Sequence, residues 1–239
     1  MKYLDLTFPD PARNLACDEA LLDLCENRGE EGVLRVWEPA DYFVVVGYSN
    51  KLLSEVNVSA CDAKGIPILR RFSGGGAVLQ GPGCLNYSLV VRNECSGIPA
   101  DLTDSYRYVL NRHVRVCTDY GALAAEIRGV SDLALDGRKF SGNAQHRKRL
   151  CSLFHGTFLL DFDIALIETC LFMPSRQPAY RQHRSHETFL CNLSIAAQDV
   201  CAALKQVWGV EEALHEVPLD RIEALMGERY SRRQWNFKY

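Results

Sequence analysis

The run Arg70-Arg71-Phe72-Ser73-Gly74-Gly75-Gly76-Ala77-Val78-Leu79 holds the residue types most suited to chemistry in this chain. Three consecutive glycines are costly to order, so a fold that keeps them needs positive φ or close backbone approach there. Backbone N–H groups freed of side chains can line an anion site, and the preceding arginines add charge-assisted donors. A glycine-rich hairpin loop with no ligand would satisfy the same residues, and the glycines alone leave both readings open. No GK[ST] follows and no GxGxxG opens a helix, so this is neither a Walker loop nor a dinucleotide fingerprint.

Two further segments carry reactive types. Ser131-Asp132 precedes Gly137-Arg138-Lys139-Phe140-Ser141-Gly142-Asn143-Ala144-Gln145. A lysine just after a tight turn and inside a strand can direct its amine into a cleft; a surface lysine on an edge strand is the common alternative. Asp132 suits either Mg²⁺ or an ion pair with a nearby arginine. Phe154-His155-Gly156-Thr157-Phe158-Leu159-Leu160 offers one histidine, a type more often hydrogen-bonded for structure than catalytic.

These segments need elements to position them. Asp10-Pro11 reads as an N-cap followed by proline at the first helical position, and Cys17, Ala20, Leu21, Leu24 and Cys25 mark one buried helical face. Strands are expected over Val33 to Trp37, Tyr42 to Gly47, Ile66 to Arg71, Asn86 to Arg92 and Ser152 to Asp161. Asp136-Gly137 between Leu133-Ala134-Leu135 and Lys139-Phe140-Ser141 signals a hairpin, because both central positions of its turn want positive φ. Helices are expected over Ser54 to Lys64, Asp104 to Val116, Ile164 to Phe172 (stopped by Pro174), Ser194 to Val207 and Leu219 to Glu228. Strands and helices without regular βα alternation indicate an α+β fold with a mostly antiparallel or mixed sheet flanked by helices.

The composition narrows the classes. The chain has 239 residues, 47% hydrophobic and 24% charged, enough for one substantial core. A net charge of −3 gives no basic field for nucleic acid, and the basic bunches at 146–149 and 229–233 read as solvated faces. The ten cysteines show no CxxC pair and no metal-ligand spacing. The start, Met1-Lys2-Tyr3-Leu4-Asp5, has charges where a signal peptide needs an apolar core, and no apolar run is long enough for a membrane span. A cytoplasmic protein with reduced thiols is expected.

Taken in order, the segments resemble the lipoate–protein ligase family, whose pattern is an RRxSGGGAV loop, then (N/S)D…G(R/K)KxSG(S/N)A, then HHGTLL. The opening Asp10-Pro11-Ala12-Arg13-Asn14-Leu15-Ala16, and Trp37 with Ala40-Asp41 and Val45-Val46-Gly47, are similar too. The resemblance covers roughly residues 8 to 239 and implies the biotin/lipoate ligase catalytic fold, as one domain over 1–239 without the C-terminal accessory domain of longer members. It implies a two-step reaction, in which ATP and lipoate (or octanoate) give an acyl-adenylate that a lysine of an acceptor then attacks. The implied acceptors are apo lipoyl domains of 2-oxoacid dehydrogenases or the glycine-cleavage H protein, with a separate accessory polypeptide as a further partner. Lys139 matches the catalytic lysine. Arg71, Gly75, Gly76, Ala77, Val78, Leu79 and Lys139 match the ATP site, and Asp132 would hold Mg²⁺. Trp37, Val46, Tyr48, Arg71, Ser73, Gly74, Val78, Lys139, His155 and Gly156 match the lipoyl site.

The fold family also contains octanoyltransferases that use a cysteine nucleophile and no ATP. One branch places the thiol after a proline downstream of the HG motif, where this chain reads Met173-Pro174-Ser175; another places it shortly upstream of GRK, where residues 118–138 hold no cysteine. The usual HD after the glycine loop is Gln80-Gly81 here, and Cys84 replaces an asparagine. Cys84 and Cys151 are the thiols expected near the site, which keeps a thioester transferase as the alternative, with a non-catalytic lipoyl- or nucleotide-binding module behind it.

Overall fold

The computed structural model describes residues 1–29, 32–94, 96–121 and 124–239. The chain opens with β1 (Lys2–Asp5) and then α1 (Pro11–Arg28). Asp10 caps α1 by accepting the Ala12 N–H, Pro11 begins it, and Gly29 ends it at φ 75°. β2 (Gly32–Trp37) and β3 (Phe43–Val46) follow, then two short helices, α2 (Leu52–Glu55) and α3 (Val58–Ala63). One helix was expected here; it is split because Val56 bridges Leu171 and Asn57 caps the second piece. β4 (Ile68–Arg70), β5 (Val78–Gln80) and β6 (Cys84–Arg92) flank the glycine-rich segment, and α4 (Leu102–Thr118) comes next.

β7 (Ala125–Arg128), β8 (Asp132–Leu135), β9 (Arg138–Arg147) and β10 (Cys151–Leu159) form a meander. Asp136 (φ 51°) and Gly137 (φ 71°) make the expected tight turn between β8 and β9. α5 (Ile164–Cys170) stops two residues short of Phe172, because extended Leu171 pairs with Val56 before Pro174 is reached. α6 (His186–Phe189), α7 (Ala197–Val207), β11 (Glu212–Ala213), α8 (Leu219–Leu225) and α9 (Arg233–Asn236) complete the order. Between the last two, Met226–Tyr230 is a single π-helical turn where a longer helix was expected.

The strands form an eight-stranded mixed sheet, β11-β1-β2-β6-β10-β9-β8-β7, and a three-stranded sheet, β4-β3-β5. β11, β1 and β2 run parallel to one another, and every other pair of the large sheet, starting with β2–β6, is antiparallel. α1 and α8 cover one face, where Leu21, Leu22, Val33, Val90 and Leu153 share a core with Leu69 and Phe72 near the glycine loop. α4 and α7 cover the other face over Leu34, Tyr87, Leu89, Phe154 and Phe158. A third core, with Val44, Val46, Leu79 and Cys84, lies between the small sheet and α5. The fold is the expected α+β arrangement, a large mixed sheet flanked by helices.

The basic bunches are only partly solvated. Lys148 pairs with Asp23, and Arg229 binds Glu19 at 2.9 Å, so both runs are tied to carboxylates on α1. No described helix is long and apolar enough to cross a membrane.

Candidate active site

Strand register builds the site. Across the large sheet, Trp37, Asn86, Thr157, Gly142 and Asp132 stand opposite one another on β2, β6, β10, β9 and β8. Two residues further along each strand, Arg35, Ser88, His155 and Ala144 form the next row. Because side chains alternate with period two, both rows face the same side, the one covered by α1. Gly142 and Ala144 are the small members, and they leave room above the sheet for a lysine and a loop.

Lys139 reaches that space through a β-bulge. Leu133 pairs with Ser141 but Ala134 pairs with Lys139, so Phe140 is an extra residue on β9. An inserted residue re-aims its neighbours. Phe140 turns into the α4-side core against Phe158, while the Lys139 amine lies over Gly142, where an added Cβ would meet Nζ at 2.8 Å. Nζ pairs with Asp132 Oδ1 at 2.7 Å, and the other carboxylate oxygen accepts the Tyr180 hydroxyl at 2.9 Å. Both oxygens of Asp132 are therefore engaged, each with one partner. No group of three His, Cys, Asp or Glu able to hold a metal occurs among the described residues.

The segment carrying Tyr180 is strapped to this hairpin. Arg184 donates to Gly137 O at 2.9 Å, and Cys191 N–H donates to Lys139 O at 2.9 Å. Sequence reading missed the strap, since nothing in residues 174–191 marks Tyr180 as a partner of Asp132.

The glycine loop stands over the second row. Gly75 (φ 95°) lies above Ala144, with 3.8 Å from its would-be Cβ to the alanine methyl. It also rests on Gly47, where a Cβ would overlap Gly75 O at 2.0 Å, so neither position admits a side chain. With strands rising ~3.3 Å per residue, Gly142 and Ala144 put the Lys139 amine and the loop roughly 7 Å apart on one face. Arg71 braces the loop from inside: its Nε and Nη2 donate to Gly74 O, and Nη2 also donates to Gly76 O at 2.9 Å. Burial pulls this guanidinium down to about 10. Its charge holds the Gly74 and Gly76 carbonyls, and exposed Gly74, Gly75 and Gly76 put a side-chain-free stretch of backbone within reach of an anion. Arg71 thus works chiefly on the loop backbone rather than from the open cleft.

Ser73, at the start of the loop, is fully buried and its Oγ lies 2.6 Å from His155 Nε2. His155 Nδ1 faces Asp18 Oδ2 at 3.5 Å, and Asp18 Oδ1 is held by Arg35 at 2.6 Å. Arg35 is saturated, donating also to Leu6 O and to Asn14. In the first row, Gln80 donates to Thr157 Oγ1, Thr157 donates to Asn86 Oδ1, and Asn86 donates back to Gln80 Oε1, all within 2.9 Å. This closed neutral ring was not foreseen; Gln80 stood out only as a departure from the usual histidine.

The remaining expected residues divide. Tyr48 and Val78 are exposed at the rim, whereas Trp37 and Val46 are buried in two different cores. Half-buried Ala77 sits at the end of the loop, whereas Leu79 is buried in the third core and pairs with Val44 in the small sheet. Gly156 belongs to the opposite face, where a Cβ would strike Asn143 Oδ1 at 2.0 Å. Of the two expected thiols, Cys84 is on the site side but fully buried in the third core, and burial raises its pKa strongly. Cys151 is not near the site: four residues along β10 from His155, roughly 13 Å, it packs under α1 and its N–H is capped by Glu26.

The described arrangement offers a primary amine beside a backbone anion cradle, a combination suited to joining or splitting acyl and phosphoryl groups. Residues 10–209 match the model of the lipoyl protein ligase A/B catalytic domain. Octanoyltransferase LipM of Brevibacillus brevis is 26% identical, with 99% of this chain and 98% of that protein covered. Lipoate-protein ligase LplJ of Bacillus subtilis is 24% identical, covering 95% of this chain and 70% of that one. Among solved structures, a lipoate-protein ligase A bound with ATP superposes with a TM-score of 0.84 at 24% identity, covering 99% of this chain and 98% of that one. The order of motifs, the two rows of the sheet and these matches agree, and the chain belongs to the lipoyl protein ligase A/B family.

Proposed function

We propose that the chain is an ATP-dependent lipoate–protein ligase. It activates lipoate or octanoate as the acyl-adenylate, releases pyrophosphate, and passes the acyl group to a lysine of a lipoyl domain or glycine-cleavage H protein. The difficulty in the first step is bringing a carboxylate against an anionic phosphate. Lys139 neutralises both and then stabilises the oxyanion that develops when the acceptor amine attacks. The backbone N–H groups of the exposed loop that Arg71 braces, from Gly75 through Gly76 and Ala77 to Val78, with Leu79 anchoring its end, take the nucleotide phosphates. The acyl chain starts from exposed Tyr48 and Val78 at the rim, while Trp37 and Val46 back the site from their two separate cores, and its carboxyl end lies near Ser73, Gly74, His155 and the backbone of Gly156. Each CH₂ it buries contributes ~0.8 kcal/mol. Mg²⁺ bound with the nucleotide would screen its phosphates, with Asp132, the partner of Lys139, as the carboxylate that would hold it.

The observation that carries the ATP reading is the state of the thiols. A cysteine nucleophile needs thiolate character and access. Cys84 is fully buried with its pKa raised, and Cys191, although joined to Lys139 through the backbone, is buried in the α4-side core and also raised by burial. Cys95 lies outside the described residues. A thioester transferase is the second reading, favoured by LipM relatives matched along nearly their whole length.

Mass spectrometry of an apo lipoyl domain incubated with the pure chain separates the two. Acylation is expected with ATP and free lipoate or octanoate, and little from an octanoyl thioester alone. Equal transfer from the thioester without ATP overturns the ligase reading. Activity of the chain by itself also tells whether an accessory polypeptide is needed.

A further inference from the structure

Asp18 sits in the middle of α1, a place where a carboxylate has no local reason to be buried. Burial works against its charge, but Arg35, His155 and Ser88 together outweigh that and hold its pKa below the ordinary value. The buried carboxylate can only accept, so the ring nitrogen facing it must be the one that carries hydrogen. In the neutral ring with hydrogen on Nδ1, Nε2 is bare, and the 2.6 Å contact to Ser73 Oγ then runs from hydroxyl to ring.

We propose that Asp18, backed by Arg35, is a positioning residue for acyl transfer: it fixes the Nδ1–H tautomer of His155, which in turn holds Ser73 and the start of the glycine loop against β10. The groups around His155 fit this single task. Ser73 lies on the loop side and Asp18 on the α1 side; Ser88 lies beside Asp18, and Arg35 lies behind it. His146, next but one to Ala144 on β9, is itself held toward its neutral form by burial, with Lys148 adding to the effect. With its proton committed to His155, Ser73 offers a ligand lone pairs only. An anion is therefore left to the loop N–H groups and to Lys139. Removing the charge at Asp18 frees the opposite tautomer, in which Nε2 donates and the Ser73 hydroxyl proton turns toward the loop.

The tautomer can be read directly from two-dimensional ¹⁵N–¹H spectra of the histidine side chains, with a His155→Gln protein to assign the signals. Nδ1 protonated and Nε2 bare is the expected pattern in the resting protein. An Nε2–H imidazole in the wild-type protein overturns the proposal, and needs no variant that must fold. In kinetics, Asp18→Asn is expected to lower kcat/KM roughly 10- to 100-fold, as loss of a histidine-orienting partner does elsewhere, chiefly through KM for the acyl donor. Ser73→Ala should act through the same path, so the double variant should be no worse than the poorer single one. Additive losses overturn the relay. The kinetic arm rests on the acyl-transfer reading but not on ATP, since it uses whichever acyl donor the protein accepts. A failed ligase assay and a failed relay are thus distinguishable.

Discussion

On the α1 side of the large sheet, beside the neutral ring of Gln80, Thr157 and Asn86, two pairs of side chains are buried or half-buried as charges against counter-ions: Arg35 with Asp18, and Lys139 with Asp132. On the α4 side, two residues of the same sheet and helix layer are buried without charge. Tyr87 gives its hydroxyl to Asn143, and His113 accepts the Trp208 N–H while ringed by Tyr87, Phe158 and Trp208. Burial raises Tyr87 far above its usual range and pushes His113 down to about 3. The difference separates two uses of one sheet. Charges held by partners can be lent to a ligand when the partners rearrange, whereas neutral groups in an apolar layer only fill and fix it.

Cutting the charged side at its most exposed member should give the largest functional effect. Lys139 is only 26% exposed yet contributes little to the core, so Lys139→Ala is expected to lower acyl transfer on the order of 10²- to 10³-fold. The thermal midpoint should stay within a few degrees of wild type, by roughly the size of a surface-pair loss. Single-turnover acylation of a lipoyl domain measures the first, and calorimetry the second. A protein that unfolds but retains its rate per folded molecule would place Lys139 with the structural residues.

The neutral side makes the opposite prediction, in stability rather than rate. His113 titrates near 6.5 in the unfolded chain and at about 3 when folded, so between these values the unfolded state binds the extra proton. Stability should therefore fall as pH drops from about 6.5, at up to roughly 1.4 kcal/mol per pH unit from this residue. His113→Leu should flatten that slope while lowering stability at pH 7, because Trp208 loses its acceptor. Urea denaturation at pH 7, 6 and 5 reads both effects. Asp18 acts lower: its depressed pKa gives stability that is present above about 4 and lost as pH falls through its folded value.

How much of this could be read from sequence follows the same division. The glycine loop, the Asp136-Gly137 turn and the capped first helix are local, since each is written in adjacent residues with fixed φ demands. The bulge is not. Counting by twos back from Asn143 puts Lys139 on the α4 side, and only the extra residue Phe140 returns it to the side of Asp132 and Gly142. Register also decides that Gly156, adjacent to His155 in the motif, belongs to the other face. Asp18 with His155, Gln80 with Thr157, and Tyr180 with Asp132 join residues far apart in the chain, and no local periodicity announces such pairs. Arg71 was expected at the phosphates because its type suits them; its buried place under the loop is set by the Gly47–Gly75 contact, which no spacing reveals.

The smallest expected effect tests whether the charged side depends on its strap. Tyr180 donates to the Asp132 oxygen that Lys139 does not use, so Tyr180→Phe removes one neutral-to-charged hydrogen bond and leaves the ion pair in place. Relieved of that donor, Asp132 holds Lys139 more tightly, and the amine should be slower to turn toward a phosphate or carboxylate. A fall in kcat of roughly 3- to 10-fold with little change in KM is expected, equivalent to about 1 kcal/mol. The strap keeps its Arg184 and Cys191 contacts, so the fold should be unaffected. An unchanged kcat would mean that Asp132 alone sets the lysine, and that Tyr180 belongs with the packing of Phe189, on whose ring it tilts at 5.1 Å.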